Sequence, residues 1–400
     1  MSSAIPQALA IDGGPPVRDT LLSFSPPLIG DAEIESVVET LRSGWLTSGP
    51  RVRELEERFA ERTGTRHAIA TSSCTAALHL SLLASGLRPG DEVITTSFTW
   101  PATVNAIIHA GAVPVFADVD PSSLNLDAGA MRQLVGSRTR ALLPVHFAGG
   151  PCDMDVIMAI ARDHSLLVIE DAAHAVEATV GERRVGSIGD FTCFSLYATK
   201  SLASGEGGVV TTDSDDAAAE LRLLRAQGIT RDPWRRQQSR SLGRYDVVMP
   251  GYKANLADLQ AAVALPKLDR LEDLYANRSR LVERYDRGLA DLDGIEPIGR
   301  PPFGRHAHHL YVVRVHPERA GGDRDRYAEA LMAENIATGL HFLPVHTLTW
   351  YREHLPAVSL PETERAGAQV LSLPLGGAHS EGDVDDVLAA LRKLHAAFTG

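Results

Sequence analysis

From His67 to Thr212 the sequence alternates short apolar runs with stretches of helical period, and this alternation constrains the fold more than any other feature. The predicted strands are His67–Thr71, Glu92–Thr95, Val113–Ala117, Ala141–His146, Leu166–Glu170, Phe191–Ser195 and Gly208–Thr212. Helical spacing covers Thr75–Ala84, Pro101–Ala110, Ala128–Val135 and Asp153–His164 between them. Several of the strands are continuous apolar runs, as strands are when both of their faces are covered. Strand and helix in turn, at this spacing, imply a mainly parallel seven-stranded sheet with helices on both sides. The pair Phe191–Ser195 and Gly208–Thr212 has no crossover helix between its members, so it is the place where the parallel order can break.

The flanks read differently. Residues 1–25 are rich in Pro and Gly and read as a loose N-terminal arm. Asp31 is placed to cap a helix with Ile34, Val37, Val38 and Leu41 at helical spacing and Gly44 as its stop. A second helix runs from about Arg51 to Arg62, uses Val52, Leu55 and Phe59, and stops at Gly64. The segment Thr230–Tyr245 is polar, basic and without period, which predicts a long surface loop. A long helix follows over roughly Leu256–Leu289, then a strand at Leu310–Val315, a helix at Asp323–Glu334 and a last helix at Glu381–Phe398. A chain of 400 residues is long for one core. The expected organisation is therefore an arm at 1–25, a large α/β domain at 26–255 and a smaller α+β domain at 256–400.

The formal net charge of −12 argues against a nucleic-acid-wrapping face, which needs a basic surplus, although a few local arginines suffice for an anionic substrate. Three separated cysteines, Cys74, Cys152 and Cys193, form no CxxC pair and fit a reducing, cytoplasmic setting. The first residues lack a basic stretch followed by an apolar run, so no signal peptide is expected. No apolar run reaches the roughly 18 residues of a membrane span.

Open α/β sheets bind ligands outside the carboxyl ends of their strands. Three such ends carry unusual residues. Ser73, Cys74 and Thr75 open a helix, where free backbone N–H groups and the positive dipole end can cradle a phosphate; simple N-capping by a hydroxyl is the plainer reading. Asp171, at the end of an apolar strand, can hold a pyridinium N–H by a charge-assisted bond, or can simply form a turn. Lys200 follows the strand ending at Ser195; desolvated, it becomes an amine nucleophile, and solvated, an ordinary loop lysine. Together, a phosphate cradle, an acid for a ring nitrogen and an amine are the parts that pyridoxal 5'-phosphate (PLP) requires.

A resemblance narrows this. FSLYATKSLASGEGG resembles the Schiff-base lysine segment of the DegT/DnrJ/EryC1/StrS family of PLP-dependent nucleotide-sugar aminotransferases. IDGGPPVR, GWLTSGPRVRELEERFA, TSSCTAALHL, DEVITTSFTWPATVNAI, PVHFAGGPCDMD, VIEDAAHAVEA, GYKANLADLQAAVAL and LSLPL are similar to further family segments, in family order, from about residue 11 to 397. The resemblance implies the fold-type I, aspartate aminotransferase-like architecture and a homodimer with active sites at the subunit interface. It implies that Lys200 carries PLP, that Asp171 meets the pyridine nitrogen, and that Ser73, Cys74, Thr75 and Ser195 take the phosphate. Trp100 matches the aromatic ring over the cofactor, His174 the residue at its other face or O3′ side, and Asn255 the asparagine that reaches the phosphate from the partner subunit. Two positions depart from the pattern: Cys74 stands where many relatives have Gly, and Tyr197 where they often have His.

DAAHAV, GYKANLADLQAA and ATGLHF resemble C4-aminating members more than C3-aminating ones. The implied substrate is a TDP- or UDP-linked 4-keto-6-deoxyhexose or a related keto-pentose, with glutamate as donor; a C3 keto-sugar or a cyclitol is the alternative. Tyr197 and His341 are candidates to line the sugar pocket, and Thr47 and Ser48 to reach it across the dimer. Arg231, Arg235, Arg236 and Arg240 offer a diphosphate site but read as a solvated basic loop. His306, His308 and His309 have the composition of a metal cluster, yet they lead straight into a predicted strand, so no metal is expected. Family dehydratases replace the lysine with His, and Lys200 argues against that branch; Lys200, Asp171 and Ser195 together argue against a non-catalytic regulator. A Rossmann dehydrogenase is disfavoured, because no GxGxxG follows the first strand.

Overall fold

The computed structural model describes residues 8–230, 234 and 244–400. Seven strands form the main sheet: β1 (His67–Thr71), β2 (Glu92–Thr96), β3 (Val113–Ala117), β4 (Thr139–Leu143), β5 (Leu167–Asp171), β8 (Phe191–Ser195) and β9 (Gly208–Thr212), in the order β1-β9-β8-β5-β4-β2-β3. A two-stranded hairpin, β6 (Thr179–Val180) and β7 (Arg183–Arg184), lies outside it. Every pair from β3 to β8 is parallel, whereas β9 runs antiparallel to both β8 and β1. The missing crossover thus breaks the order where the sequence allows it. β4 begins two residues before the predicted start, at Thr139; its continuous ladder ends at Leu143, and beyond it the Pro144 carbonyl still accepts the Asp171 N–H at 2.9 Å and Val145 bridges Asp171.

Helices α1 (Asp31–Ser43), α2 (Pro50–Thr63), α3 (Cys74–Ala84), α4 (Pro101–His109), α5 (Ala128–Gln133) and α6 (Met154–His164) follow the predicted spacing, and α7 (Asp215–Leu224) is an addition. The N-cap of α1 is Gly30 rather than Asp31, and the Glu33 carboxylate accepts the Gly30 N–H at 2.7 Å. The apolar stripe of α1 does not face the core: Ile34 and Leu41 are more than half exposed, and Glu33 and Thr40 are the buried residues.

The predicted long helix is broken. Asp258–Asp269 and Leu271–Leu289 are separate helices, with Arg270 at φ −102°, ψ 13° between them. Pro266, which has no N–H to donate, lies in the last turn of the first. The break also separates two cores. Ala261, Ala264, Leu265 and Leu271 pack with the main sheet. Leu281, Val282, Tyr285 and Leu289 pack against an antiparallel sheet of β10 (Ile295–Pro297), β11 (Tyr311–Val315) and β12 (Val370–Leu373), with the Glu381–Thr399 helix.

The stretch expected to be a loose arm is pinned from Leu9 onward. Leu9 and Leu22 join the second core, and Leu22 bridges Ile336. The buried Glu334 carboxylate accepts the Ala10 and Val17 N–H groups at 3.0 and 2.8 Å and pairs with Lys393 at 2.8 Å. A carboxylate is tolerated there because each oxygen has a partner. Among the described residues, no helix is long and apolar enough to cross a membrane.

Candidate active site

The carboxyl ends of β1, β2, β5 and β8 open onto one cavity of about 490 Å³. Ser73, Cys74, Thr75, Trp100, Asp171, His174, Ser195, Tyr197, Lys200 and His341 all line it, although they come from segments up to 268 residues apart. Asn255, Thr47 and Ser48 do not. They lie together elsewhere: Asn255 Nδ2 donates to Ser48 Oγ at 2.6 Å, the Lys253 ammonium donates to Asn255 Oδ1, and the Asp258 N–H reaches the Thr47 carbonyl at 3.4 Å. Arg231, Arg235, Arg236 and Arg240 lie outside the described residues.

The helix end that faces the cavity is open. Ser73 is the N-cap of α3, and its hydroxyl accepts the Ala76 N–H at 3.1 Å. The first intrahelical bond comes from Ala77, so the Cys74 and Thr75 N–H groups precede it and are free for an anion. Gly208 lets β9 pass behind this turn: a Cβ there would stand 2.7 Å from the Cys74 nitrogen and 2.6 Å from the Ser73 carbonyl carbon.

Asp171 ends β5, 5% exposed. Thr103 Oγ1 donates to its Oδ2 at 2.7 Å, and the Ala173 N–H donates to Oδ1 at 3.1 Å. Thr103 was not singled out from sequence; it comes from α4 and is visible only once the chain is folded. Burial pushes the Asp171 carboxyl up, against these two bonds. Beneath it, His146 Nδ1 accepts the Cys152 N–H at 3.0 Å, so its proton sits on Nε2 and bonds the buried Glu170 at 2.8 Å.

Lys200 sits in the loop between β8 and β9. That loop is closed by the Leu196 and Ser204 N–H groups, donating to Gly207 and Leu196 carbonyls at 2.9 and 2.8 Å. Lys267 Nζ reaches in to hold the Ala203 carbonyl at 3.0 Å. Burial pushes the Lys200 amine down to about 8. Its side-chain partner among the described residues is His309 Nε2, 3.2 Å away, one of the three histidines that have the composition of a metal cluster but lead into a strand. The other two histidines stay together and away from Lys200: His306 Nδ1 accepts the His308 N–H at 2.9 Å, and the His308 ring stacks on His306 and Tyr275.

The groups fit PLP. The open end of α3 suits its phosphate, and Ser195 lies beside it on the cavity wall. Asp171, with its charge disfavoured by burial, suits a cationic ring nitrogen. The His174 Nδ1 atom is buried and has no partner among the described residues, which suits a polar ring substituent. The Trp100 ring stands 63% exposed at the rim, in reach of a flat ligand.

The model of the DegT/DnrJ/EryC1/StrS aminotransferase family matches residues 27–392. The chain belongs to that family. Its relatives include the spore coat polysaccharide biosynthesis protein SpsC of Bacillus subtilis, 46% identical over 94% of this chain and 98% of SpsC. Among solved structures, the PLP form of Spr1654 from Streptococcus pneumoniae superposes with a TM-score of 0.87 at 31% identity, covering 94% of this chain and 99% of that one. DesI, solved with its TDP-sugar product, gives a TM-score of 0.86 at 38% identity over 96% of this chain and 95% of DesI. The family member described here is a PLP-dependent sugar aminotransferase with the fold-type I architecture.

Proposed function

We propose that this aminotransferase moves the amino group of glutamate onto C4 of a TDP- or UDP-linked 4-keto-6-deoxyhexose, with Lys200 as the residue that carries PLP. The observation that carries the reading is one cavity holding the Lys200 amine, the buried Asp171 carboxylate and the open end of α3. The match to DesI, solved with a TDP-sugar product, supports a nucleotide-linked sugar. The DAAHAV and GYKANLADLQAA segments support C4.

When bound, PLP supplies an electron sink for the pair released as a proton leaves the carbon beside the transferred nitrogen. The protein does the rest. The Cys74 and Thr75 N–H groups and Ser195 would hold the phosphate, and the Asp171 carboxylate would keep the ring nitrogen protonated. Trp100 would cover one ring face, and His174 would stand at the other face or at the O3′ side. Lys200 Nζ would hold the cofactor and, once free, would serve as the base that moves a proton within the site. Tyr197 and His341 line the sugar side.

Asn255, Thr47 and Ser48 act, in this reading, on the cavity of a second copy of the chain. The exposed Ile34 and Leu41 on α1 supply an apolar face for such a homodimer. The double variant Ile34→Asp/Leu41→Asp is expected to sediment as a monomer and to lose activity together with the dimer. A double variant that sediments as a dimer removes this face from the interface.

The function is tested by adding PLP, reducing with borohydride and mapping the adduct, then offering glutamate with 4-keto and 3-keto nucleotide sugars and with keto-cyclitols. The expected result is an adduct on Lys200 and amination of a 4-keto sugar. Amination of only a 3-keto sugar or a cyclitol overturns the C4 assignment; an adduct elsewhere, or none, overturns the role of Lys200.

A further inference from the structure

Behind Lys200 the chain builds a rigid bracket for one side chain. His309 lies just before β11, 6% exposed, with its Nε2 3.2 Å from Lys200 Nζ. Backbone bonds tie its segment to the turn after β4: Ala307 N–H donates to the Gly149 carbonyl at 2.8 Å, and the His309 and Leu310 N–H groups share the Ala148 carbonyl at 3.1 and 3.2 Å. The tie needs unusual backbone on both sides. Ala148 and His308 adopt φ 54° and 51°, which residues with a Cβ rarely do. At Gly149, φ 96°, a Cβ would stand 2.8 Å from the His174 carbonyl. From the Leu271–Leu289 helix, Arg278 donates to the His308 and Ala307 carbonyls at 3.2 and 3.3 Å and pairs with the buried Glu177. Strained backbone and a buried ion pair both converge on the segment that presents His309, which is where such costs are accepted for function.

We infer that His309 is the positioning residue of the Lys200 amine: its neutral Nε2 accepts one N–H from Nζ and holds the amine at the cavity wall whenever Nζ is not bonded to the cofactor. This rests on the reading of Lys200 as the PLP-carrying residue. No group is oxidised or reduced and no bond breaks; His309 accepts a hydrogen bond and keeps its own proton on Nδ1. Burial, then the charge of Lys200, holds His309 well below the usual imidazole range, so it stays an acceptor at neutral pH. Asp171 and Cys74 face Lys200 from the sheet side, His174 and His341 from the packed loops, and Arg278 faces His309 from the helix behind. Glu206 lines the same cavity. The His174 and His341 rings are also held neutral by burial, but among the described residues the ring at hydrogen-bond distance from Nζ is that of His309.

The test reads the lysine itself, in protein freed of PLP. The rate at which a trace amine-acylating reagent modifies Lys200, followed by mass mapping against pH, gives the midpoint of the Lys200 amine. The wild-type midpoint is expected at about 8. An acceptor stabilises the ammonium form, so His309→Phe is expected to lower the midpoint by about one unit. His309→Gln, which keeps an acceptor, is expected to restore it, an outcome that mere packing does not produce. Should the Phe variant not fold, His309→Ala reads the same quantity without adding bulk. A Phe or Ala variant with an unchanged midpoint overturns the inference, as does a Gln variant shifted as far as Phe. Borohydride mapping of the wild-type holoenzyme separates the two levels. An adduct on Lys200 with unchanged midpoints sinks only the role of His309, and no adduct on Lys200 sinks the reading beneath it.

Discussion

Lys200→Ala is expected to reduce amino transfer by more than about 10³-fold, because it removes both the attachment of the cofactor and the base that moves the proton. The fold should survive. The loop from Tyr197 to Gly207 is held by backbone bonds and by Lys267, and among the described residues the Lys200 side chain hydrogen-bonds to His309. The melting temperature should therefore stay near that of the cofactor-free wild type, while turnover and the borohydride adduct disappear. The same chemistry sets a pH dependence in the wild type. Only the neutral amine attacks an aldehyde, and burial brings the Lys200 amine to about 8. A group with that midpoint is about one-eleventh neutral at pH 7 and about ten-elevenths neutral at pH 9, so PLP uptake by cofactor-free protein should rise roughly tenfold over that interval. Turnover by the alanine variant within tenfold of wild type would remove Lys200 from the chemistry.

Asp171→Asn is expected to cost about 10²- to 10³-fold in turnover with little loss of folding. Asparagine is nearly isosteric, and its carbonyl can still accept the Ala173 N–H. Thr103 can turn its hydroxyl towards Thr99, already 2.8 Å away. What is lost is the negative charge. In wild type, burial disfavours that charge and the bonds from Thr103 and Ala173 favour it, so a cationic ring nitrogen arriving in the cavity meets a carboxylate with no other cation at hydrogen-bond distance among the described residues. In the variant the ring nitrogen loses the partner that keeps it protonated. The rate of the glutamate half-reaction, followed by the cofactor absorbance, reads this directly. A half-reaction near the wild-type rate would mean that Asp171 has a structural role alone.

Much of the fold was legible because it is encoded locally. Apolar runs with crossover helices between them give parallel strands whatever lies elsewhere in the chain, and Gly44 and Gly64 stop α1 and α2 where the sequence places them. The misreadings share a cause. The α1 period was readable, but whether Ile34 and Leu41 face the core depends on what packs against the helix, and the Asp258–Asp269 helix takes the other side. The single helix over Leu256–Leu289 has a continuous apolar period, but its two halves serve different cores, which no local pattern records. The Pro- and Gly-rich composition of residues 1–25 suggests looseness, and only the buried carboxylate of Glu334 explains why the chain there is held.

By itself the sequence determined the strand–helix order, the place where that order reverses and the residue types at the strand ends, because each is written within a few neighbouring positions. The tertiary structure alone decided that those strand ends share one cavity, that Thr103 supports Asp171 and that His309 meets Lys200. These contacts join residues 68 and 109 positions apart, and the side-chain directions that bring them together are set by packing across layers rather than by the chain on either side.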